Sequence, residues 1–282
     1  MWSTMSTVSA LLLGEMDNFT VLCVSSFLAT IAMAIIVIAS GKLRLALSYK
    51  PLDYLKMAGI GLPGVFLYYT FYYGGATRLP APQAFITNYL WPVMSIVFAV
   101  ILLREKMTLP KIIAVVMSFA GIFTVAGKDV LSFSFDSIIG TLSCLAGAVC
   151  YGLFTVLNKK SSYDKQISMT MAMFTAFILS LAPALIVGDG VMIELSQIPG
   201  IIWNGVFTMA LANLCWTLAL AGENTAKISN LAYATPFLSL VWNYLILGVM
   251  PSPFAFAGLC LIVGGIFIQL RGDGTKIKTG EK

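Results

Sequence analysis

The stretch Asn-Tyr-Leu-Trp-Pro (residues 88–92) lies in the middle of an apolar run that extends from residue 82 to residue 103. A run of about 20 apolar residues has the length of a membrane-spanning helix. A proline inside such a helix frees a backbone carbonyl, which only protein or a water-filled cavity can satisfy. The run therefore predicts a kinked helix whose polar and aromatic middle faces the inside of the protein, near the centre of the bilayer.

The composition is that of an integral membrane protein. Of the 282 residues, 59% are hydrophobic and 10% are charged, and the mean hydropathy is +0.92, whereas soluble domains are about half apolar and a quarter charged. We predict an all-α polytopic fold with linkers too short for a soluble domain. Its ten apolar runs cover residues 1–13, 19–39, 55–76, 82–103, 110–127, 138–157, 167–187, 199–221, 228–249 and 253–270.

The first run is too short to cross a bilayer. At 1.5 Å per residue, residues 1–13 cover only about 20 Å of a hydrocarbon core that is roughly 30 Å thick. Trp2 corresponds to Tyr151 in the sixth run, which is preceded by a further stretch of apolar residues. We therefore expect an amino terminus that lacks the first half of its helix. A signal peptide is disfavoured because no basic residues precede the apolar stretch.

The basic residues are divided unequally between alternate linkers. Fifteen of the 17 lysines and arginines fall on one side of the predicted membrane, and only Arg78 and Lys128 fall on the other. Because basic residues favour the cytoplasmic side of short loops, both termini are predicted to be cytoplasmic. This arrangement requires an even number of crossings. The dispersed basic residues also argue against a nucleic-acid surface, which needs them clustered.

The two kinked runs correspond when the chain is compared with itself at a shift of 144 residues. An odd number of crossings in each half places the second half in the membrane in the opposite sense, as in many secondary transporters. We predict five-helix repeats at residues 1–129 and 130–271 and a cytoplasmic tail at 272–282; a chance alignment of two apolar stretches is the alternative. The matching pairs are Pro92 with Pro236, Ser95 with Ser239, and Gly121 with Gly265.

Several kinds of chemistry are disfavoured by the residues available. The chain contains no histidine, and its five cysteines lie inside apolar runs, so we predict no metal site, no disulfide framework and no cofactor. The 12 acidic residues fall in linkers or at run ends, and none provides a proton relay at mid-membrane depth. The absence of a phosphate-binding loop argues against direct use of ATP. An intramembrane enzyme is therefore disfavoured.

Several motifs resemble a known family. The ten-run order, the paired kinked runs, and Leu-Arg-Glu-Lys at 103–106 followed by Pro110 and Gly121 resemble the drug/metabolite transporter superfamily, specifically its EamA-type half-repeats. Residues 2–5, 88–92 and 155–159 resemble the YddG-type bacterial exporters of aromatic amino acids. The resemblance covers essentially the whole chain. Two departures are the missing first half of helix 1 and Val249, which stands where the first repeat has Glu105.

The candidate site residues surround the two prolines. Tyrosines 68 and 72 share one helix face, although a place in the interfacial aromatic belt is an alternative for the second. The aromatic residues beside Pro92 are predicted to stack on a substrate ring, with core packing or lipid contact as the alternative; amides, hydroxyls and freed carbonyls would hold its polar groups. Asn213 and Asn243 are expected to bond neighbouring helices. The predicted substrate-binding residues are Tyr68, Tyr72, Asn88, Tyr89, Trp91, Pro92, Tyr151, Asn230, Tyr233 and Pro236; Trp2 and Phe154 are further candidates.

These features predict a secondary transporter of the bacterial inner membrane that works by alternating access. Its expected partners are the lipid bilayer and a small neutral or zwitterionic molecule with a large apolar part. The resemblance implies export of phenylalanine, tyrosine, tryptophan or another neutral amino acid. A multidrug-type exporter of planar aromatic compounds, including cations held by cation–π contacts, is the alternative. The individual substrate, the coupling ion and the oligomeric state are left open.

Overall fold

The computed structural model describes residues 1–131, 134–187, 193–221 and 234–279, with side chains described for 1–125, 134–187, 193–216, 218 and 234–271. Within these ranges the chain forms helices and no strands. We number the main helices in chain order. They are α1 (Trp2–Leu13), α2 (Asn18–Ala39), α3 (residues 51–76), α4 (Ala81–Leu103), α5 (Leu109–Leu131), α6 (Phe135–Lys160), α7 (Lys165–Val187), α8 (residues 198–221), α9 (Thr235–Leu247) and α10 (Pro253–Thr279).

The helices confirm the predicted all-α polytopic fold. Six of them, α2, α4, α6, α7, α8 and α10, contain segments long and apolar enough to cross a membrane, and α1, α9 and residues 109–125 of α5 are shorter apolar helices. A short helix, Leu43–Ser48, lies in the linker between α2 and α3. The predicted run at 228–249 is described only from residue 234. The missing first half of helix 1 stays a prediction.

The kink predicted in α4 is confirmed as a break. The helix consists of two segments, Ala81–Asn88 and Trp91–Leu103, separated by a turn at residues 89–90. Pro92 is the second residue of the second segment, where a helix does not need its missing N–H. Pro236 occupies the same position in α9. Both prolines therefore lie at the start of a helical segment.

α3 and α8 share a second irregularity, because each contains a π-helical segment. These segments are Pro63–Leu67 in α3 and Trp203–Leu211 in α8. The 144-residue shift places residues 63–67 on 207–211, within the α8 segment. A π-helical turn holds more residues than an α-helical turn and is frequent at functional sites. The two halves thus depart from regular helix at equivalent places.

Glycines allow α5 and α10 to approach closely. A Cβ added at Gly121 would lie 2.7 Å from the carbonyl oxygen of Gly258, and one at Gly265 would lie 3.0 Å from that of Ala114. The 144-residue shift maps residue 121 on 265 and residue 114 on 258, so each contact is the counterpart of the other. Close approach of this kind replaces the hydrophobic driving force that is missing between helices in lipid.

A second pair of glycine contacts joins the two halves. A Cβ added at Gly61 in α3 would lie 2.4 Å from the Cβ of Ala172 in α7. A Cβ added at Gly205 in α8 would lie 2.6 Å from the carbonyl oxygen of Ser25 and 3.1 Å from the Cβ of Leu28, both in α2. Residue 205 corresponds to 61, and 172 to 28, at the same shift. The packing plan therefore repeats between the halves.

Ion pairs connect helices at the end predicted to be cytoplasmic. Lys42 lies 2.6 Å from Asp164, and Glu105 lies 2.9 Å from Lys111 and 3.6 Å from Lys159. The hydrogen bond from Lys111 holds the pKa of the Glu105 carboxyl below its ordinary value. The Lys159–Glu105 pair is exposed and contributes only about 0–1 kcal/mol, whereas Lys111 is buried beside Glu105. These pairs tie the ends of α4, α5 and α6 together without forming the core.

α4 and α9 also end in the same way. Each is followed by a residue in the left-handed region, Arg104 with φ of 57° and Gly248 with φ of 67°. The N–H of the following residue donates a hydrogen bond to the carbonyl six residues earlier. This arrangement satisfies one of the free carbonyls at a helix C-terminus. These bonds run from Glu105 to Ala99 at 3.4 Å and from Val249 to Asn243 at 3.3 Å.

Candidate functional site

A cavity lies beside the break in α4. Its volume is about 40 Å³, measured as the space open to the centre of a water-sized sphere. One water molecule needs about 10–15 Å³ by the same measure, so the cavity has room for roughly three. An aromatic amino acid is larger, and binding one would require the lining groups to move apart. The lining side chains come from α1, α3, α4, α6, α8 and α9: Trp2, Met5, Tyr68, Tyr69, Phe85, Asn88, Tyr89, Trp91, Tyr151, Asn213 and Thr235.

Trp91 is the centre of an aromatic wall. Its ring centroid lies 5.0 Å from that of Tyr151 and 6.4 Å from those of Tyr89 and Trp216, and all three contacts are edge-on. Trp2 extends the wall, with its ring 5.6 Å from Trp216. Such arrangements are favourable because the positive edge of one ring meets the negative face of another. Tryptophans from α1, α4 and α8 therefore meet beside one cavity.

Two tyrosine–asparagine pairs supply the polar part of the site. Asn88 Nδ2 donates to the Tyr68 hydroxyl at 2.8 Å, and the Tyr151 hydroxyl donates to Asn213 Oδ1 at 2.9 Å. The rings of the two tyrosines are 4.8 Å apart, so the pairs are neighbours. Gly147 of α6 leaves room for the first pair, since a Cβ there would lie 3.3 Å from Asn88 Oδ1. Each half contributes one pair through its own helices.

The cavity has polar groups but no charge. Among the described side chains that line it, the polar ones are amides, hydroxyls and indoles, and none is a lysine, arginine, aspartate or glutamate. A permanently charged molecule would leave an uncompensated charge in a low-dielectric site, which is costly. The surroundings therefore favour a molecule with no net charge, including a zwitterion whose two charges lie close together.

The structure brings half of the predicted residues together. Tyr68, Asn88, Tyr89, Trp91 and Tyr151 all line the cavity. Their binding role stays a prediction, but their common location agrees with it.

The other predicted residues have different positions. The Tyr72 ring packs parallel to that of Tyr68 at 6.1 Å and is 1% exposed, so it lies behind the cavity and not in an interfacial belt. Pro92 and Pro236 shape the starts of their segments and are not among the lining residues. Asn230 and Tyr233 lie outside the described residues.

Sequence reasoning missed several lining residues. Met5 and Phe85 have no polar group to distinguish them from lipid-facing or core residues, and Tyr69 carries the same hydroxyl as the neighbouring tyrosines. Asn213 was assigned to interhelical bonding, and it does bond Tyr151, but it also lines the cavity. Thr235 had a usable signal, because it precedes Pro236 as Trp91 precedes Pro92. Phe154 packs against Tyr151 at 5.8 Å without lining the cavity.

A polytopic helical protein with broken helices around an uncharged aromatic cavity has the architecture of a membrane transporter. The chain belongs to the EamA-like transporter family, whose sequence profile matches residues 1–127 and again residues 138–271. It is therefore a multi-pass membrane protein of a transporter family. The double match covers both halves of the chain.

Relatives with named substrates include two amino-acid exporters. The chain is 26% identical to a probable terminal-alkyne amino-acid exporter of Streptantibioticus cattleyicolor, over 91% of this chain and 86% of that one. It is 24% identical to the aromatic amino acid exporter YddG of Ancylobacter novellus, over 73% of this chain and 72% of that one. A solved crystal structure shares the fold, with a TM-score of 0.72 and 20% identity over 95% of this chain and 92% of the other.

Proposed function

We propose that this protein exports aromatic or other neutral amino acids across the bacterial inner membrane by alternating access. The observation that carries the proposal is the cavity at the α4 break, where Trp91, Tyr89 and Tyr151 form an aromatic surface beside two asparagine amides. None of the described lining side chains is charged. An aromatic side chain stacked on this surface would gain about 0.5–1.5 kcal/mol beyond its burial. The two relatives named as amino-acid exporters support the same substrate class.

The polar groups of the site suit the backbone end of an amino acid. Amide and hydroxyl oxygens accept hydrogen bonds from an ammonium, and the remaining N–H and O–H groups donate to a carboxylate. Asn88 Oδ1 is buried and has no hydrogen-bond partner among the described residues. A buried acceptor of this kind is costly until a donor reaches it. A substrate ammonium is a suitable donor.

Reconstitution into liposomes tests the proposal. Purified protein would be assayed with labelled phenylalanine, tyrosine, tryptophan, leucine and glutamate, alongside empty liposomes. We expect flux of the three aromatic amino acids, weaker flux of leucine and none of glutamate. Equal flux of all five, or none of the aromatic amino acids by folded protein, would contradict the proposal.

A multidrug-type exporter of planar aromatic compounds is the second candidate. The edge-on cluster around Trp91 offers ring faces to a cation, and a cation–π contact is worth about 2 kcal/mol or more when desolvated. The same liposomes would be assayed with a planar aromatic cation and with its neutral isostere. Faster flux of the cation than of phenylalanine would favour this candidate, because an amino-acid site without a countercharge should prefer the zwitterion.

The orientation and the division into halves are part of the proposal. Both termini are placed in the cytoplasm, with five-helix repeats at residues 1–129 and 130–271 and a tail at 272–282. The 15-to-2 division of basic residues and the paired glycine contacts support this arrangement. Cysteines introduced at positions 48, 161 and 275 should react only from the cytoplasm, and those at 18, 134 and 196 only from outside. Mixed labelling within either set would refute it.

A further inference from the structure

The cavity is closed toward the end predicted to be external. On α1, α3 and α9, several of the residues that follow the lining side chains toward this end are almost completely buried. Thr7 and Tyr72 are each 1% exposed, and Asn243 is 0% exposed. Ala84, which precedes the lining residue Phe85 in α4 and so lies closer to this end, is also 0% exposed. Side chains from four helices therefore fill this side of the protein.

The closing contact is a chain of hydrogen bonds and not apolar packing alone. Asn243 Nδ2 donates to Ser6 Oγ at 2.8 Å, and Ser6 Oγ donates to the Ala81 carbonyl oxygen at 3.2 Å. Thr7 Oγ1 donates to Asn243 Oδ1 at 3.1 Å. The chain joins α1, the first segment of α4 and α9. One asparagine thus holds three helices that belong to both halves of the protein.

Hydrogen bonds are well suited to a contact that must open. In a closed cavity they satisfy the buried amide and hydroxyl groups, and in an open, hydrated cavity water satisfies the same groups. The difference between the two states is therefore small for each bond. The α5–α10 contact is different, because its glycines pack backbone against backbone at distances that leave no room for a Cβ. Opening is therefore expected at the polar contact, because water can satisfy its groups once the helices separate.

We propose that the contact of Asn243 with Ser6, Thr7 and, through Ser6, the Ala81 carbonyl is the gate that closes the substrate cavity on the external side. Opening separates α9 from α1 and from the first segment of α4. The inference rests on the proposed transport function, but the experiment that tests the gate requires no substrate. The residue that corresponds to Asn243 at the 144-residue shift is Ala99, which has no side-chain amide. A gate of this chemistry is therefore expected on one side of the membrane.

Cysteine labelling in intact cells tests the gate. A reporter, Phe85→Cys, is placed in the cavity lining of a protein whose five native cysteines are replaced by alanine, and a membrane-impermeant maleimide is added outside. Asn243→Ala removes every hydrogen bond that the amide makes, so we expect the labelling rate to rise about tenfold, as the open population grows. Thr7→Val keeps the shape and removes one bond, and we expect a rise of about threefold.

Asn204→Ala is the matched control. Asn204 is also 0% exposed and bonds other helices, at 2.9 Å to Ser25 of α2 and 2.7 Å to Tyr73 of α3. Its removal should change the labelling rate by less than about twofold. An unchanged rate in folded Asn243→Ala protein, or an equal rise in the control, would overturn the gate. If Asn243→Ala does not fold, Thr7→Val decides by the same criterion.

The two proposals fail separately. Loss of the labelling effect in a protein that still transports aromatic amino acids would refute the gate and leave the transport function standing. A normal labelling effect in a protein that transports no amino acid in liposomes would refute the proposed substrate and leave the gate standing.

Discussion

α4 and α9 have the same backbone plan but different side chains at the cavity. Each has a proline as the second residue of the segment that begins beside the cavity, and each ends in a left-handed residue. The residue before the proline is Trp91 in one helix and Thr235 in the other. After the left-handed residue comes Glu105, with two lysine partners, in one case and Val249 in the other.

This difference shows that the repeat specifies the scaffold and not the chemistry. The glycine contacts, the prolines and the π-helical segments recur at the 144-residue shift because both halves must pack and break in the same way. The aromatic wall does not recur, since Trp91 is its centre and Thr235 has no ring. Trp91 should therefore contribute more to substrate binding than its counterpart Thr235, while the shared contacts of both halves should determine stability.

The largest expected effect tests the shared scaffold. Gly121→Ala and Gly265→Ala should each lower the free energy of unfolding by about 1–3 kcal/mol, because each Cβ would meet a backbone carbonyl oxygen. Thermal unfolding of the purified protein measures both. Gly74→Ala is the control, since nothing lies within 4 Å of its Cβ position, and it should not destabilise. Loss of stability in only one of the two variants would contradict the equivalence of the Gly121 and Gly265 contacts.

The next effect tests the asymmetry of the site. Trp91→Ala should reduce uptake of aromatic substrates by about tenfold, the loss of roughly 1.4 kcal/mol expected for one stacking surface. Thr235→Ala, at the equivalent position, should reduce it by less than about threefold. Liposome flux and thermal unfolding would be measured together. If Trp91→Ala transports phenylalanine normally, or fails only because it unfolds, residues 88–92 are a structural kink.

A smaller effect compares the two tyrosine–asparagine pairs. Tyr68→Phe and Tyr151→Phe keep the ring and each remove a hydroxyl bonded to an amide, worth about 0.5–1.5 kcal/mol. We expect a mild loss of flux in both, within about threefold of each other, if the pairs contribute alike. The concentration dependence of phenylalanine uptake measures this loss. If Tyr68→Phe lowers phenylalanine uptake and Tyr151→Phe does not, polar recognition of the substrate would belong to the first half alone.

The smallest effect concerns the helix ends. Arg104 has a left-handed backbone that glycine adopts without strain, and Gly248 occupies the equivalent position. Arg104→Gly should raise the free energy of unfolding by about 1 kcal/mol, and Gly248→Ala should lower it by a similar amount. Thermal unfolding of both variants measures the two opposite shifts. A destabilised Arg104→Gly protein would mean that the arginine side chain stabilises the fold more than its backbone strains it.

Much of the fold was predictable because its signals are local. Apolar runs identify spanning helices, and a proline inside a run identifies the break in α4. The cavity lining was harder, since a helix in lipid is apolar on every face and its periodicity does not show which face turns inward. Tyr68 and Tyr72 do share a face, as their spacing predicted, but the cavity lies at the level of Tyr68, beside Tyr69.

The break in α4 also has an electrostatic consequence. The carbonyl end of Ala81–Asn88 and the amide end of Trp91–Leu103 both lie next to the cavity. Each end of a helix carries a partial charge of roughly half a unit, negative at the carboxyl end and positive at the amino end. Backbone bonds across the turn, such as that from Leu90 N–H to the Thr87 carbonyl at 3.3 Å, pair part of these ends. A zwitterion with its ammonium beside the first segment and its carboxylate beside the second would match the partial charge that remains at each end, without any charged side chain.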